Sequence, residues 1–258
     1  MSLIVTYVGG PTLLLEFSGV RLLTDPTFDP AGGEYRRGPV TLEKTGGPAV
    51  GLDAIAPIDY VLLSHDHHFD NLDHAGRTAL TTAQSVLTTE EGAQRLGGNS
   101  IGLKTWDHCD LALQNGGTLR VVATPARHGP HGINRGEVTG FVLFPVKSPE
   151  KVVYVSGDTV WYEGVADIAR RFKIRVAILH MGAARVPAVG AFHLTMTAYE
   201  GVEFARVFSK ATIVPVHFEG WAHFMEGRHQ IAREFDESGL AQRLRWPEPG
   251  RTIRIDLT

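Results

Sequence analysis

Six short apolar runs in this chain each end within a few residues of a histidine or an aspartate. Leu22-Leu23-Thr24 leads to Asp25, Val61-Leu62-Leu63 to His65, and Val121-Val122-Ala123 to His128. Val153-Tyr154-Val155 leads to Asp158, Ala177-Ile178-Leu179 to His180, and Ile213-Val214-Pro215-Val216 to His217. Runs of this length, rich in Val, Ile and Leu, read as buried strands. Function in layered α/β folds collects in the loops at strand ends, so these groups can converge on one rim of a sheet. Mixed histidine and carboxylate ligands suit zinc, manganese or iron.

The rest of the chain fits a layered α/β (α+β) arrangement. A meander opens it: Leu3 to Val8, Thr12 to Phe17 and Val20 to Thr24, with turns at Gly9-Gly10-Pro11 and Ser18-Gly19. Further strands are predicted over Tyr60 to Leu63, Leu119 to Ala123, Phe141 to Phe144, Val152 to Val155, Val176 to Leu179 and Ile213 to Val216, with a half-buried or edge strand over Ile253 to Leu257. Apolar residues at helical spacing predict helices over Tyr162 to Phe172, Thr197 to Phe208 and Glu226 to Glu237. Pro26 to Pro57, rich in Gly and Pro, reads as a long surface loop near a site.

Composition narrows the chemistry. The single cysteine, Cys109, excludes an intrachain disulfide and a thiolate cluster, so any metal sits on nitrogen and oxygen. A formal charge of −3 with interspersed signs lacks the basic stripe of a nucleic-acid binder. With 258 residues and 43% hydrophobic content, one domain over 1–258 is expected. No basic leader and no apolar run of about 20 residues is seen, so a soluble, cytoplasmic protein without a membrane span is expected; self-association into a homo-oligomer stays open.

Of twelve histidines, His65, His67 and His68 fall together. Two imidazoles an alternate residue apart can project to the same side and meet one ion. His65-Asp66-His67, followed by Asp70-Asn71-Leu72-Asp73, resembles the His-x-His-x-Asp-His-Leu-Asp signature of the metallo-β-lactamase superfamily. Leu23-Thr24-Asp25-Pro26, His128 after Thr124-Pro125-Ala126-Arg127, Ser156-Gly157-Asp158-Thr159 and Pro215-Val216-His217 follow in the superfamily's order. The nearest flavour is the branch of ascorbate-6-phosphate lactonase and the N-acylphosphatidylethanolamine-hydrolysing phospholipase D.

That resemblance implies a four-layer αββα sandwich with one or two divalent ions at one edge, zinc first, manganese or iron next. By the same resemblance, His65, His67 and His128 hold the first metal, Asp158 bridges, and Asp70 with His217 holds the second. Asp25 orients the ligating histidines from behind. The sequence departs from the signature in two ways: two residues separate His67 from Asp70 where one is usual, and Asn71 stands where a histidine is expected. Either His68 enters the site as a substitute, or the second position binds a harder ion through oxygen, or one metal remains; binding at both positions is the favoured expectation.

The implied reaction is hydrolysis of a small-molecule ester or lactone, amide or phosphodiester by a metal-bound hydroxide oriented by Asp70. No serine lies in a Gly-x-Ser-x-Gly setting to compete. His193 resembles a histidine that this branch places beside the metals, fit to donate a proton or stabilise an oxyanion. His180, Arg185, Trp221 and His223 are expected to line the substrate pocket, Arg185 as a carboxylate or phosphate holder. The alternative is a metal-binding or sensory protein that keeps the fold without turnover.

Overall fold

The computed structural model describes residues 1–113, 116–133 and 135–257. In chain order its elements are β1 (Ser2–Gly9), β2 (Thr12–Phe17), β3 (Val20–Thr24), β4 (Glu34–Arg37), β5 (Val40–Glu43), α1 (Leu52–Ile55), β6 (Tyr60–Leu62), α2 (His74–Leu80), β7 (Ser85–Thr89), α3 (Glu90–Leu96) and β8 (Ser100–Leu103). They continue as β9 (His108–Ala112), β10 (Thr118–Thr124), β11 (Gly140–Pro145), β12 (Val152–Val155), α4 (Glu163–Ala166), α5 (Ile168–Arg171), β13 (Ile174–His180), α6 (Ala198–Val207), β14 (Thr212–Val216), α7 (Arg228–Glu237) and β15 (Thr252–Asp256).

Among the described residues, one sheet runs β15-β1-β2-β3-β6-β7-β8 and a second runs β14-β13-β12-β11-β10-β9. Strand side chains alternate between faces, and this sorts each strand between two environments. Leu13, Leu15 and Phe17 of β2 meet Val121, Phe141, Val153 and Ile178 of the other sheet in one shared core. Leu14, Leu23 and Val61 face outward beneath Ala79 and Leu80 of α2. Tyr154, Ala177 and Leu179 face outward under Val202 and Phe204 of α6 and Ile231 and Phe235 of α7. Two sheets packed face to face, each covered by helices, make the expected αββα sandwich.

Parallel pairing sets where function collects. β3 runs parallel to β6, and β12 parallel to β13 and β13 to β14. β10 reaches the same direction through two antiparallel steps across β11. All six strand-ending residues named from the sequence therefore leave their sheets along one edge.

The helix expected over Tyr162 to Phe172 is broken into α4 and α5 at Asp167, which caps the first and starts the second. Thr197 stands outside α6, where its hydroxyl and the Glu200 carboxylate form a capping box. The expected loop over Pro26 to Pro57 contains a hairpin, β4–β5, and the short α1. No helix among the described residues is long and apolar enough to cross a membrane.

Candidate metal centre

The segment after β6 is tied down before it reaches the site. The Ser64 amide donates to Asp25 Oδ1 at 2.6 Å, and Ser64 Oγ lies 2.9 Å from His65 Nδ1. The buried Asp66 carboxylate turns away to Arg95 on α3, Oδ1 meeting Nη2 at 2.6 Å. The amides of Asn71 and Leu72 both donate to the His68 carbonyl, and this turn carries Asp70 and Asn71 back toward the histidines. Asp73 then caps α2 by accepting from the Gly76 amide and pairs with Lys44 Nζ at 2.6 Å, both partners buried.

Three groups of donor atoms result, each with its members within 4.8 Å of one another: His65, His67 and His68; His65, His128 and Asp158; Asp70, Asp158 and His217. Asp158 belongs to two of them. Its Oδ1 is 3.0 Å from His217 Nδ1, and its Oδ2 is 3.9 Å from His128 Nε2. Asn71 lies in the same place, donating from Nδ2 to Asp158 Oδ1 at 3.2 Å.

Hydrogen bonds assign the imidazole tautomers. His128 Nδ1 is 3.0 Å from the Leu194 carbonyl, which only accepts, so Nδ1 carries the proton and Nε2 presents a lone pair. His67 Nε2 meets the Arg135 carbonyl, leaving His67 Nδ1 bare; that atom is buried, without a hydrogen bond, and 3.8 Å from Asp66 Oδ1. His68 differs. Arg135 Nη2 donates to its Nε2 at 3.2 Å, which puts the proton on Nδ1, 2.9 Å from His65 Nε2 and 3.1 Å from His128 Nε2. His67 thus offers a free lone pair, while His68 hydrogen-bonds across the other rings. Gly136 makes this loop geometry feasible: its φ is +86°, and a Cβ there would stand 2.5 Å from His67 Nε2.

Burial is the main force holding His65 and His68 well below the ordinary histidine range and His128 below it, which favours neutral, electron-donating rings. Burial pushes the Asp158 carboxyl up, yet the charge of His217 and its histidine neighbours outweighs it and holds the group well below the usual carboxylate range. Asp70 follows the same pattern, with the His223 hydrogen bond the leading opposing influence. His217 is displaced upward: burial pushes it down, and Asp158 and Asp70 override that.

The residues present fit a divalent cation. His67 Nδ1, Asn71 Oδ1, Asp158 Oδ2 and both nitrogens of His217 are buried without hydrogen bonds among the described residues. Each such atom costs about 1–3 kcal/mol, and their concentration at one spot is what a bound cation relieves. His217 (φ 57°) and Asp25 (φ 27°) also hold left-handed backbone that side-chain-bearing residues seldom adopt, the strain expected where surrounding structure enforces a site.

Other residues singled out from the sequence fall differently. Asp25 reaches the centre indirectly: beyond the Ser64 amide, its Oδ2 lies 3.0 Å from Nε2 of His180, whose ring stands edge-on to His217. His180 is wholly buried and holds this inner position instead of a substrate wall. Trp221, 3% exposed, packs against Tyr35 beneath Lys44. Arg185 is exposed, its amide donating to the His223 carbonyl. His193 Nε2 turns to Glu200 Oε2 at 3.1 Å, on the α6 side. His223 comes furthest inward, its Nε2 3.0 Å from Asp70 Oδ2.

A cleft of about 430 Å³ opens above His67 and His68, walled by Tyr35, Val40 and Leu42 of the β4–β5 hairpin and by Phe69 and Val189. A narrow throat touching His68, Asp70, His128 and His223 leads inward from this region. Arg135 lines both spaces and has no motif that marks it in the sequence. The hairpin was foreshadowed only as a loop near a site.

Two helix-covered sheets with buried histidine and aspartate clusters at their shared strand edge define a metallo-β-lactamase fold with a candidate metal centre. Residues 20–218 match the family model described as the beta-lactamase superfamily domain, and the chain belongs to that family. A UPF0173 metal-dependent hydrolase of Caldivirga maquilingensis is 25% identical over 256 residues, covering 97% of each chain. Among solved structures, isothiocyanate hydrolase from Delia radicum gut bacteria superposes with a TM-score of 0.81 at 24% identity, covering 98% of both chains. Igni18, a metallo hydrolase from the archaeon Ignicoccus hospitalis, superposes at 0.73 with 21% identity over 99% of both.

Proposed function

We propose that the protein hydrolyses an ester or lactone, amide or phosphodiester bond of a small molecule, with one or two divalent cations, zinc foremost, held by His65, His67, His128, Asp158, Asp70 and His217. The observation that carries this reading is Asp158, a carboxylate shared by two donor clusters and held ionised between them. A divalent cation in such a site lowers the pKa of water and polarises the bond to be cleaved.

The chain's own residues supply orientation and proton handling. Leu194 and Ser64 fix the rings of His128 and His65, and Asp25 steadies Ser64 and His180 behind them. Asp70 is available to accept a proton from an attacking water. His223, paired with Asp70 at the throat, is placed to pass a proton to a leaving group.

Ascorbate-6-phosphate lactonase and N-acyl phospholipid hydrolysis remain the nearest analogies for bond type. The isothiocyanate hydrolase adds a third, since its named substrate also has an electrophilic carbon open to water. The test is a screen of protein loaded separately with zinc, manganese and iron against lactones, phosphodiesters, amides and isothiocyanates. Turnover abolished by Asp158→Ala is expected. Absence of turnover across the panel at full metal occupancy would overturn the reading in favour of a non-catalytic metal protein.

A further inference from the structure

We propose that Arg37 and Arg135 form an oxyanion-binding end of the cleft, so that the molecule cleaved carries a carboxylate or phosphoryl group close to its scissile bond. This rests on the hydrolytic reading above and names the substrate class for the same site.

Charge accounting in the cleft leads there. Its charged lining residues are Arg37, Arg95, Arg135 and Glu91. Arg95 is committed to Asp66 and Glu91, with Nη2 2.6 Å from Asp66 Oδ1 and Nη1 3.1 Å from Glu91 Oε2, so its guanidinium is already spent on two carboxylates. Arg37 and Arg135 have no carboxylate at ion-pair distance among the described residues. Arg37 Nη1 donates to the His67 carbonyl and Arg135 Nη2 to His68 Nε2, both neutral acceptors. Arg135 Nε is buried with no hydrogen-bond partner among the described residues. Asp70 is the acid whose charge reaches Arg135, but Asp70 Oδ2 is already engaged by His223.

Arg135 is therefore half-buried, carries an unspent donor and faces a second positive charge. An oxyanion accepting from both forks removes that penalty, and planar forks suit carboxylate and phosphoryl oxygens. Tyr35, Val40, Phe69 and Val189 line the same cleft, so the complementary ligand joins an anionic head to a compact apolar body. Arg135 touches His68, and His68 touches His65 and His128, which puts the head one imidazole away from the donor cluster.

Isothermal titration with phenylphosphonate, benzoate and the neutral benzyl alcohol tests this on wild type, Arg37→Gln, Arg135→Gln and the double variant. Each protein is measured metal-loaded and after chelation, with Arg170→Gln as a surface control and circular dichroism melting to verify folding. The expected result is binding of at least one anion but not of the alcohol, about tenfold weaker in each single variant, as for loss of a hydrogen bond to a charged group. The double variant should lose it, and binding should persist after chelation. The stronger anion distinguishes a phosphoryl from a carboxylate head. Equal affinity in the folded double variant, equal binding of the alcohol, or binding lost on chelation yet indifferent to the arginines would overturn the proposal. Because binding is read without turnover, an inactive protein that still binds anions through these arginines would sink the hydrolytic reading alone.

Discussion

The side-chain amide of Asn71 donates from Nδ2 to Oδ1 of Asp158 at 3.2 Å. Asn71, the residue after Asp70, is thus hydrogen-bonded to the carboxylate shared by two donor clusters. The amide stabilises the ionised form of Asp158 and leaves its own Oδ1 pointing into the site without a partner. Asn71→Ala removes that support. Metal affinity, measured by competition with a chromophoric chelator, should fall about 10- to 100-fold, the usual cost of losing a residue that orients a ligand.

Removing the metal should destabilise the fold. A cation present at a hundredfold excess over its dissociation constant contributes about 2.7 kcal/mol. For a chain of this size that corresponds to about 5–10 °C in Tm. Differential scanning calorimetry before and after exhaustive chelation, with zinc restored afterwards, checks this; an unchanged Tm would mean that nothing binds to the native state selectively.

Lys44 and Asp73 form a buried ion pair at 2.6 Å, and Asp73 also accepts from the amides of Phe28, Asp29 and Gly76. Lys44→Met leaves that carboxylate buried without its counter-charge. Urea unfolding should show a loss of about 3–5 kcal/mol. The loop after β3 and the start of α2 should gain hydrogen exchange first, because both hang on Asp73.

His193 gives a pH signature away from the metal centre. Its hydrogen bond to Glu200 raises its pKa over the opposing influence of burial. A raised histidine pKa contributes stability that is full below the unfolded value of about 6.5 and is lost as pH rises through the folded value. With the side chain 35% exposed, solvent screening keeps the effect below about 1 kcal/mol. His193→Gln should therefore be less stable than wild type near pH 5.5 and equal to it near pH 9, with metal content unchanged. A collapse of turnover in that variant would restore the proton-donor role first expected for this histidine.

The sequence by itself determined the layers and the working edge. Alternation along Leu13, Leu15 and Phe17 and along Val153 and Val155 specified inner faces, and each run's exit into Asp25, His65, His128, Asp158 or His217 followed from strand length alone. Periodicity is a local property, so it survives in one dimension. What only the tertiary structure decided is which atoms meet. The adjacency of His67 and His68 in sequence left their roles open, and a loop distant in sequence separated them, Arg135 giving its carbonyl to one ring and its guanidinium to the other. His180 reads as a strand-end polar residue equal to His217, yet parallel pairing with β12 and β14 buries it against Asp25. Arg37 and Arg135 carry no signal in sequence because an unpaired charge is defined by the carboxylates that fail to reach it, and that is settled only when all elements are packed together.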